Sequence, residues 1–130
     1  MPEQEPDIPL AELEGYAEVA GIIARRPLYH FSWVHSFCYH SQQEDELGNH
    51  WRDIELVMGE SKAPSARIGI RFHRVDHVAF SGFGEIEGLF FRSIKKRNWE
   101  KLRYEVGDYE ESKISLFCHG IALFDPGREV

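Results

Sequence analysis

Histidine is the residue type dense enough in this chain to suggest a site, with seven in 130 residues. His73 and His77 are four apart with Asp76 between them, a spacing that on a helix presents two zinc ligands on one face. Their setting is not helical. Across Ala66–Gly84 (A-R-I-G-I-R-F-H-R-V-D-H-V-A-F-S-G-F-G), Ile68, Ile70 and Phe72 alternate with Arg67, Gly69, Arg71 and His73. Val78 and Phe80 then alternate with His77, Ala79 and Ser81. A period of two marks half-buried strands, and neighbours of this kind pair antiparallel. The run therefore reads as the central hairpin of a sheet, with the histidines at its turn. Arg74 stands where an H-E-x-x-H motif would carry its catalytic Glu. The alternative reading has His73 and His77 facing each other across the hairpin and, with His35, holding a metal or ligand in an enzyme site.

His30, His35 and His40 recur at intervals of five. An odd interval puts His35 on the opposite strand face from the other two, so the three converge only through a bulge. His35 shares the aromatic face of its strand and is expected to be buried and hydrogen-bonded there. Cys118 and His119 are adjacent, and successive strand residues point apart, which is poor geometry for Cys–His catalysis. The chain contains no C-x-x-C, no G-x-S-x-G and no phosphate-binding glycine loop. No cofactor is implied.

Charge points elsewhere. Net charge is −7 with a pI near 5.5, which opposes general nucleic-acid binding, since neutralising phosphates supplies most of that affinity. It suits a basic protein partner. Glu44–Asp45–Glu46 and Glu110–Glu111 are the acidic corners that would meet one, although solvated loops have the same composition. Arg92, Lys95, Lys96, Arg97, Lys101 and Arg103 surround Trp99, a pattern compatible with single-stranded nucleic acid. In so acidic a chain it reads as a solvated hairpin answering nearby carboxylates.

The elements that position these residues follow from length and periodicity. The chain has the size of one domain, residues 1–130, able to bury about two-thirds of its unfolded surface. No apolar stretch approaches the ~20 residues of a membrane span, and the acidic start has no leader-like apolar run. Two cysteines, Cys38 and Cys118, predict a cytoplasmic protein with two reduced, buried thiols. Residues 1–6 read as a flexible tail and 8–25 as a helix, with Asp7 as its cap and Pro9 in its first turn. Leu10, Leu13, Ala17, Ala20 and Ile23 make its apolar stripe.

Residues 29–124 then read as an antiparallel β domain of about seven strands, a sandwich or curled sheet. Tyr29–His40 is one long strand, or two joined by a bulge, with Tyr29, Phe31, Trp33, His35, Phe37 and Tyr39 on its aromatic face. Trp51–Met58 follows, then the central pair. Glu85–Ile94 alternates through Ile86, Gly88, Phe90, Arg92 and Ile94, and later strands carry Leu102, Tyr104, Val106, Ile114, Leu116 and Ile121. The expected core is Leu13, Ile23, Phe31, Trp33, Phe37, Ile54, Leu56, Ile68, Ile70, Phe72, Val78, Phe80, Phe90, Leu102, Tyr104, Ile114, Leu116 and Ile121. Exposed sheet edges would allow pairing with a second copy, a homo-oligomeric reading.

Five segments carry a further signal. They are Val34–His35–Ser36, the apolar Ile54–Met58 strand, Arg71–Phe72–His73–Arg74–Val75, the Gly82–Phe83 step and Leu116–Phe117–Cys118–His119–Gly120–Ile121. Their order over Phe31–Phe124 resembles that of the Imm50-type bacterial immunity proteins and related small β families. Ser36 stands where an Asp usually follows the histidine, and the N-terminal helix lies outside the pattern. The resemblance implies a cytoplasmic, non-enzymatic protein that binds and neutralises a cognate toxin.

Overall fold

Apolar–polar alternation becomes eight strands: β1 (Trp33–Glu44), β2 (His50–Gly59), β3 (Arg67–His73), β4 (Asp76–Phe80), β5 (Leu89–Ser93), β6 (Tyr104–Asp108), β7 (Ile114–Cys118) and β8 (Gly120–Phe124). They are seen in a computed structural model that describes residues 7–25, 31–44, 46–48, 50–61, 66–81, 84–86, 88–95, 102–108 and 113–127. The strands form two antiparallel four-stranded sheets, ordered β1-β2-β3-β8 and β4-β7-β6-β5. The expected mainly-β, antiparallel class with one N-terminal helix is present. Ile54, Leu56 and Met58 of β2, Ile68, Ile70 and Phe72 of β3, and Ile114 and Leu116 of β7 are all buried between the sheets. Each such side chain contributes roughly 1.5–3 kcal/mol by leaving water.

The central-hairpin reading of Ala66–Gly84 is overturned. β3 pairs with β2 and β8, whereas β4 pairs with β7 in the other sheet. Between them the backbone turns a corner: Arg74 takes φ 54 and His77 φ 51, and Val75 is buried. β7 and β8 bend at the same level, where the His119 amide donates to the His73 carbonyl at 2.8 Å. Two adjacent strands thus cross from sheet to sheet together as one folded ribbon. In the β3–β4 connection the left-handed Arg74 and His77 re-aim the chain, as β-bulges do at the corners of packed sheets.

The expected single helix over 8–25 is also corrected. A 3-10 turn, Leu10–Glu12, is followed by extended Leu13 and only then by α1, Tyr16–Arg25. Asp7 lies well before α1 and bridges to Arg92 of β5, and the Ile8 amide donates to the Phe91 carbonyl. Glu14 bridges to Ala122, its carbonyl accepting the Leu123 amide. Gly15 sits at φ +79, where a Cβ would fall 2.0 Å from the Leu123 carbonyl oxygen. The backbone of β8 therefore reaches the chain where an uninterrupted helix would run. Val19 and Leu13 are buried while Ala17 is exposed, so the predicted stripe is replaced by a shorter one.

Several core assignments change: Trp33, Val78, Phe90 and Leu102 are not among the buried side chains, and Ile23, Phe37, Phe80 and Tyr104 pack against the core only partly buried. Gly88 at φ +73 resets the alternation, so Phe91 is buried and Phe90 turns outward under the Arg92 guanidinium, 4.5 Å from its ring centre. Ile86 and Ile94 are buried outside the strand. Val78 is 37% exposed rather than in the core, and Cys38 is exposed while Cys118 is buried. β1 runs twelve residues with register shifts between Val34 and Ser36 and between His40 and Gln43. The first falls where a joining bulge is expected; the second lies past His40, where the strand runs on to Glu44.

Candidate functional site

The outer face of the first sheet collects the polar residues of β1, β2 and β3 in rows. His40 pairs with Asp53, whose next neighbour is His73, and Cys38 pairs with Glu55, which pairs with Arg71 and then Ala122. His73 Nδ1 lies 3.0 Å from Asp53 Oδ1, and the same oxygen accepts the Arg74 amide at 3.0 Å. Arg71 places both Nε and Nη2 3.0 Å from Glu55 Oε1 and lays its guanidinium 4.9 Å from the Phe124 ring centre. Arg74 covers the Trp51 ring at 4.6 Å, and the His73 ring meets Trp51 edge-on. His40 Nε2 is 4.0 Å from Glu55 Oε1, beyond hydrogen-bond reach.

An Asp–His pair of this kind orients an imidazole for acid–base work only if a nucleophile or substrate stands beside the free nitrogen. Cys38 is two strands and one row from His73, more than roughly 10 Å by strand spacing. Each cation in these rows already faces a carboxylate or a ring. The cluster's geometry is that of a clamp on the corner between β3 and β4.

The histidines are not brought together. His35 sits at the first β1 bulge, half-exposed, with Nε2 2.8 Å from the Ser61 carbonyl and its ring over Gly59. Its expected hydrogen bond exists, but its burial is partial, because the bulge rotates it away from the aromatic face. His77 lies beyond the corner, packed edge-on against Phe117 in the second sheet. Among the described residues no group of three or more His, Cys, Asp or Glu side chains is placed to hold a metal. The Cys118 thiol is buried beside His119, and desolvation pushes its pKa well up, against a smaller lowering from the Gly120 backbone hydrogen bond.

Of the acidic corners, Glu46 is exposed in the β1–β2 turn, and Glu44 closes β1 opposite His50. Asp45, Glu110 and Glu111 lie outside the described residues, as do most of the basic run, residues 96–101. At the end of the β6–β7 pairing, Asp108 is a buried carboxylate accepting the Ile114 amide at 2.9 Å. Arg92 reaches Asp7 at 3.3 Å and Glu105 at 3.5 Å, and Lys95 lies over Tyr104.

A second feature was not visible in residue types alone. β1 and β4 are each terminal in their sheet, and they flank one seam. The seam is closed at one end, where the Val34 amide donates to the Gly84 carbonyl and the Ile86 amide to the Ser32 carbonyl. Phe37 of β1 and Phe80 of β4 then stack with ring centres 3.9 Å apart. Beyond the stack lie Tyr39 and Val78. Tyr39 is opposite fully buried Ile54, and Val78 lies in the irregular stretch between the Asp76 and Ala79 pairings of β4; they are 46% and 37% exposed. With Leu47 in the β1–β2 turn, they are the large apolar side chains left exposed among the described residues.

No helix is long and apolar enough to cross a membrane among the described residues. Comparison with protein-family models, with curated proteins and with solved structures finds no match.

Proposed function

We propose that this chain is a non-enzymatic protein-binding module for a basic partner, working in the cytoplasm in the manner of an immunity protein against a cationic toxin. One observation carries the reading. The exposed apolar residues Tyr39, Leu47 and Val78 all fall in two stretches, Trp33–Asn49 and Asp76–Phe91. Those stretches contain Glu44, Asp45, Glu46, Asp76, Glu85 and Glu87 and not one of the chain's fifteen Lys and Arg residues. Apolar anchors within a rim of a single charge sign are what a charge-steered interface requires. The Asp53–His73 pair, by contrast, is committed to its corner.

The test is affinity capture from the native host with wild type and with Leu47→Glu and Tyr39→Glu variants, at low and high salt. Wild type is expected to retain a basic protein, with capture falling about tenfold in either variant and weakening as salt rises. Retention that neither the variants nor salt alters overturns the proposal, as does the absence of any enriched basic protein.

A further inference from the structure

We propose that the seam between β1 and β4 receives one extended, cationic segment of the partner, which pairs its backbone with both edge strands and closes the opening between the sheets. This rests on the protein-binding reading above and specifies its mode.

Two edge strands bordering one opening are an uncommon arrangement, because each presents backbone groups to whatever lies alongside. Natural edges are blunted by Lys, by Pro or by inward-pointing charge. Trp33–Gln43 of β1 contains no charged residue and no Pro, and β4 carries one charge, Asp76, at its outer end. Each edge does carry one irregularity, between His40 and Gln43 in β1 and between Asp76 and Ala79 in β4, around which an added strand has to pair. Tyr39 is paired with fully buried Ile54, and Val78 lies two residues before Phe80, which pairs with buried Ile114, so exposed apolar side chains border the core where the strands separate. An added strand with an apolar side chain over this opening would extend the buried layer by one position.

The occupant's geometry follows. β1 and the chain leading out of β4 meet antiparallel at Trp33 and Glu85, so one inserted strand runs antiparallel to one edge and parallel to the other. The Phe37–Phe80 stack marks the closed end. Beyond the stack lie Cys38–Gln43 on β1 and Asp76–Ala79 on β4, lengths that an inserted strand of about five residues would match at strand rise. Alternate side chains would point inward between Tyr39 and Val78, and the others outward toward the carboxylate-bearing flanks. Lys113 donates to the Glu85 carbonyl at 2.9 Å at the closed end, and Arg74 lies over Trp51. The open end carries Asp76 and the turn with exposed Glu46. A second copy of this chain fits poorly, because it would bring a like net charge of −7. A lysine- or arginine-bearing strand is complementary.

The experiment uses the full chain and three octapeptide probes: alternating Lys–Val, alternating Glu–Val, and Lys–Val with N-methyl groups on alternate amides. Amide hydrogen exchange is read residue by residue. Lys–Val is expected to slow exchange at least about fivefold in both Cys38–Gln43 and Asp76–Ala79, and the other two peptides are expected not to. Tyr39→Glu and Val78→Glu, both at exposed positions and checked by circular dichroism for an intact fold, are expected to abolish the slowing. Protection confined to the β1–β2 turn, protection by Glu–Val to the same degree, or none at all overturns the insertion. So does a free protein that sediments as a dimer with both edges already protected. A captured basic partner that leaves β1 and β4 exchange unchanged would sink the insertion while the binding reading stands; failure of capture would sink both.

Discussion

Asp53 and Arg74 are joined by one short hydrogen bond, Oδ1 to amide nitrogen at 3.0 Å, across 21 residues of sequence. The same oxygen faces His73 Nδ1 at 3.0 Å. One carboxylate on β2 therefore fixes the two residues at which the chain leaves the first sheet for the second. Asp53→Ala is expected to lower stability by about 2 kcal/mol, because the Arg74 amide loses a charged acceptor. Asp53→Asn keeps an acceptor oxygen and is expected to lose about half as much. Urea unfolding of the two variants checks the order.

Arg74 holds φ 54, a left-handed conformation that costs a non-glycine residue about 1 kcal/mol. Its guanidinium over Trp51 returns a similar amount, roughly 0.5–1 kcal/mol at a partly exposed site. Arg74→Gly alone is therefore expected to be near neutral. In a Trp51→Leu background the ring contact is already gone, and the same change is expected to stabilise by about 1 kcal/mol. A double-mutant cycle in urea gives both values; destabilisation in the Trp51→Leu background would contradict the strain argument.

Gly15→Ala is expected to be among the most damaging small changes in the chain. It adds a Cβ 2.0 Å from the Leu123 carbonyl oxygen at a residue with φ +79. The bridge from Glu14 to Ala122 then has to open, and losses of this steric class exceed about 3 kcal/mol. Gly21→Ala, on the exposed side of α1 with open space at its Cβ, is the control. It is expected to stabilise by up to about 1 kcal/mol through helix propensity. Thermal melts of the pair make the comparison.

The two thiols should separate cleanly. A thiol reagent is expected to label Cys38 in the native protein and Cys118 only on unfolding, by mass spectrometry. Burial raises the folded Cys118 pKa above the ordinary 9.0, so the native state holds its proton where the unfolded chain releases it. Fewer protons bound in the unfolded state means stability falls with rising pH. The contribution is complete below about pH 9 and is lost above it at roughly 1.4 kcal/mol per pH unit. Cys118→Ala is expected to remove that slope while costing packing, which alkaline urea titrations resolve.

Much of this architecture is legible in residue order. The alternation of Ile54, Leu56 and Met58, of Ile68, Ile70 and Phe72, and of Ile114 and Leu116 places three strands and their buried faces directly. The corner is not legible, because His73-Arg74-Val75-Asp76 has the composition of a hairpin turn. What makes it a corner is Asp53, far away in sequence. Gly15 likewise looks like a weak helix residue until the Leu123 carbonyl is set against it. Val78 reads as core because its phase is inward, and Tyr39 shares the aromatic face of its strand. Their exposure comes from strand order, which periodicity does not encode. The acidic character of the candidate surface was readable from the start; the seam that organises it was not.

The ribbon formed by β3–β4 and β7–β8 also governs how the molecule comes apart. Half of each long segment belongs to one sheet and half to the other, so neither layer has strands of its own at the join. Opening one sheet strips pairing from the other. The pairing of β3 with β8 closes a loop of about fifty residues, which makes that step late and slow. Local melting is thereby confined to the outlying hairpin of β1 and β2 and to β5, and the rest unfolds as one cooperative unit.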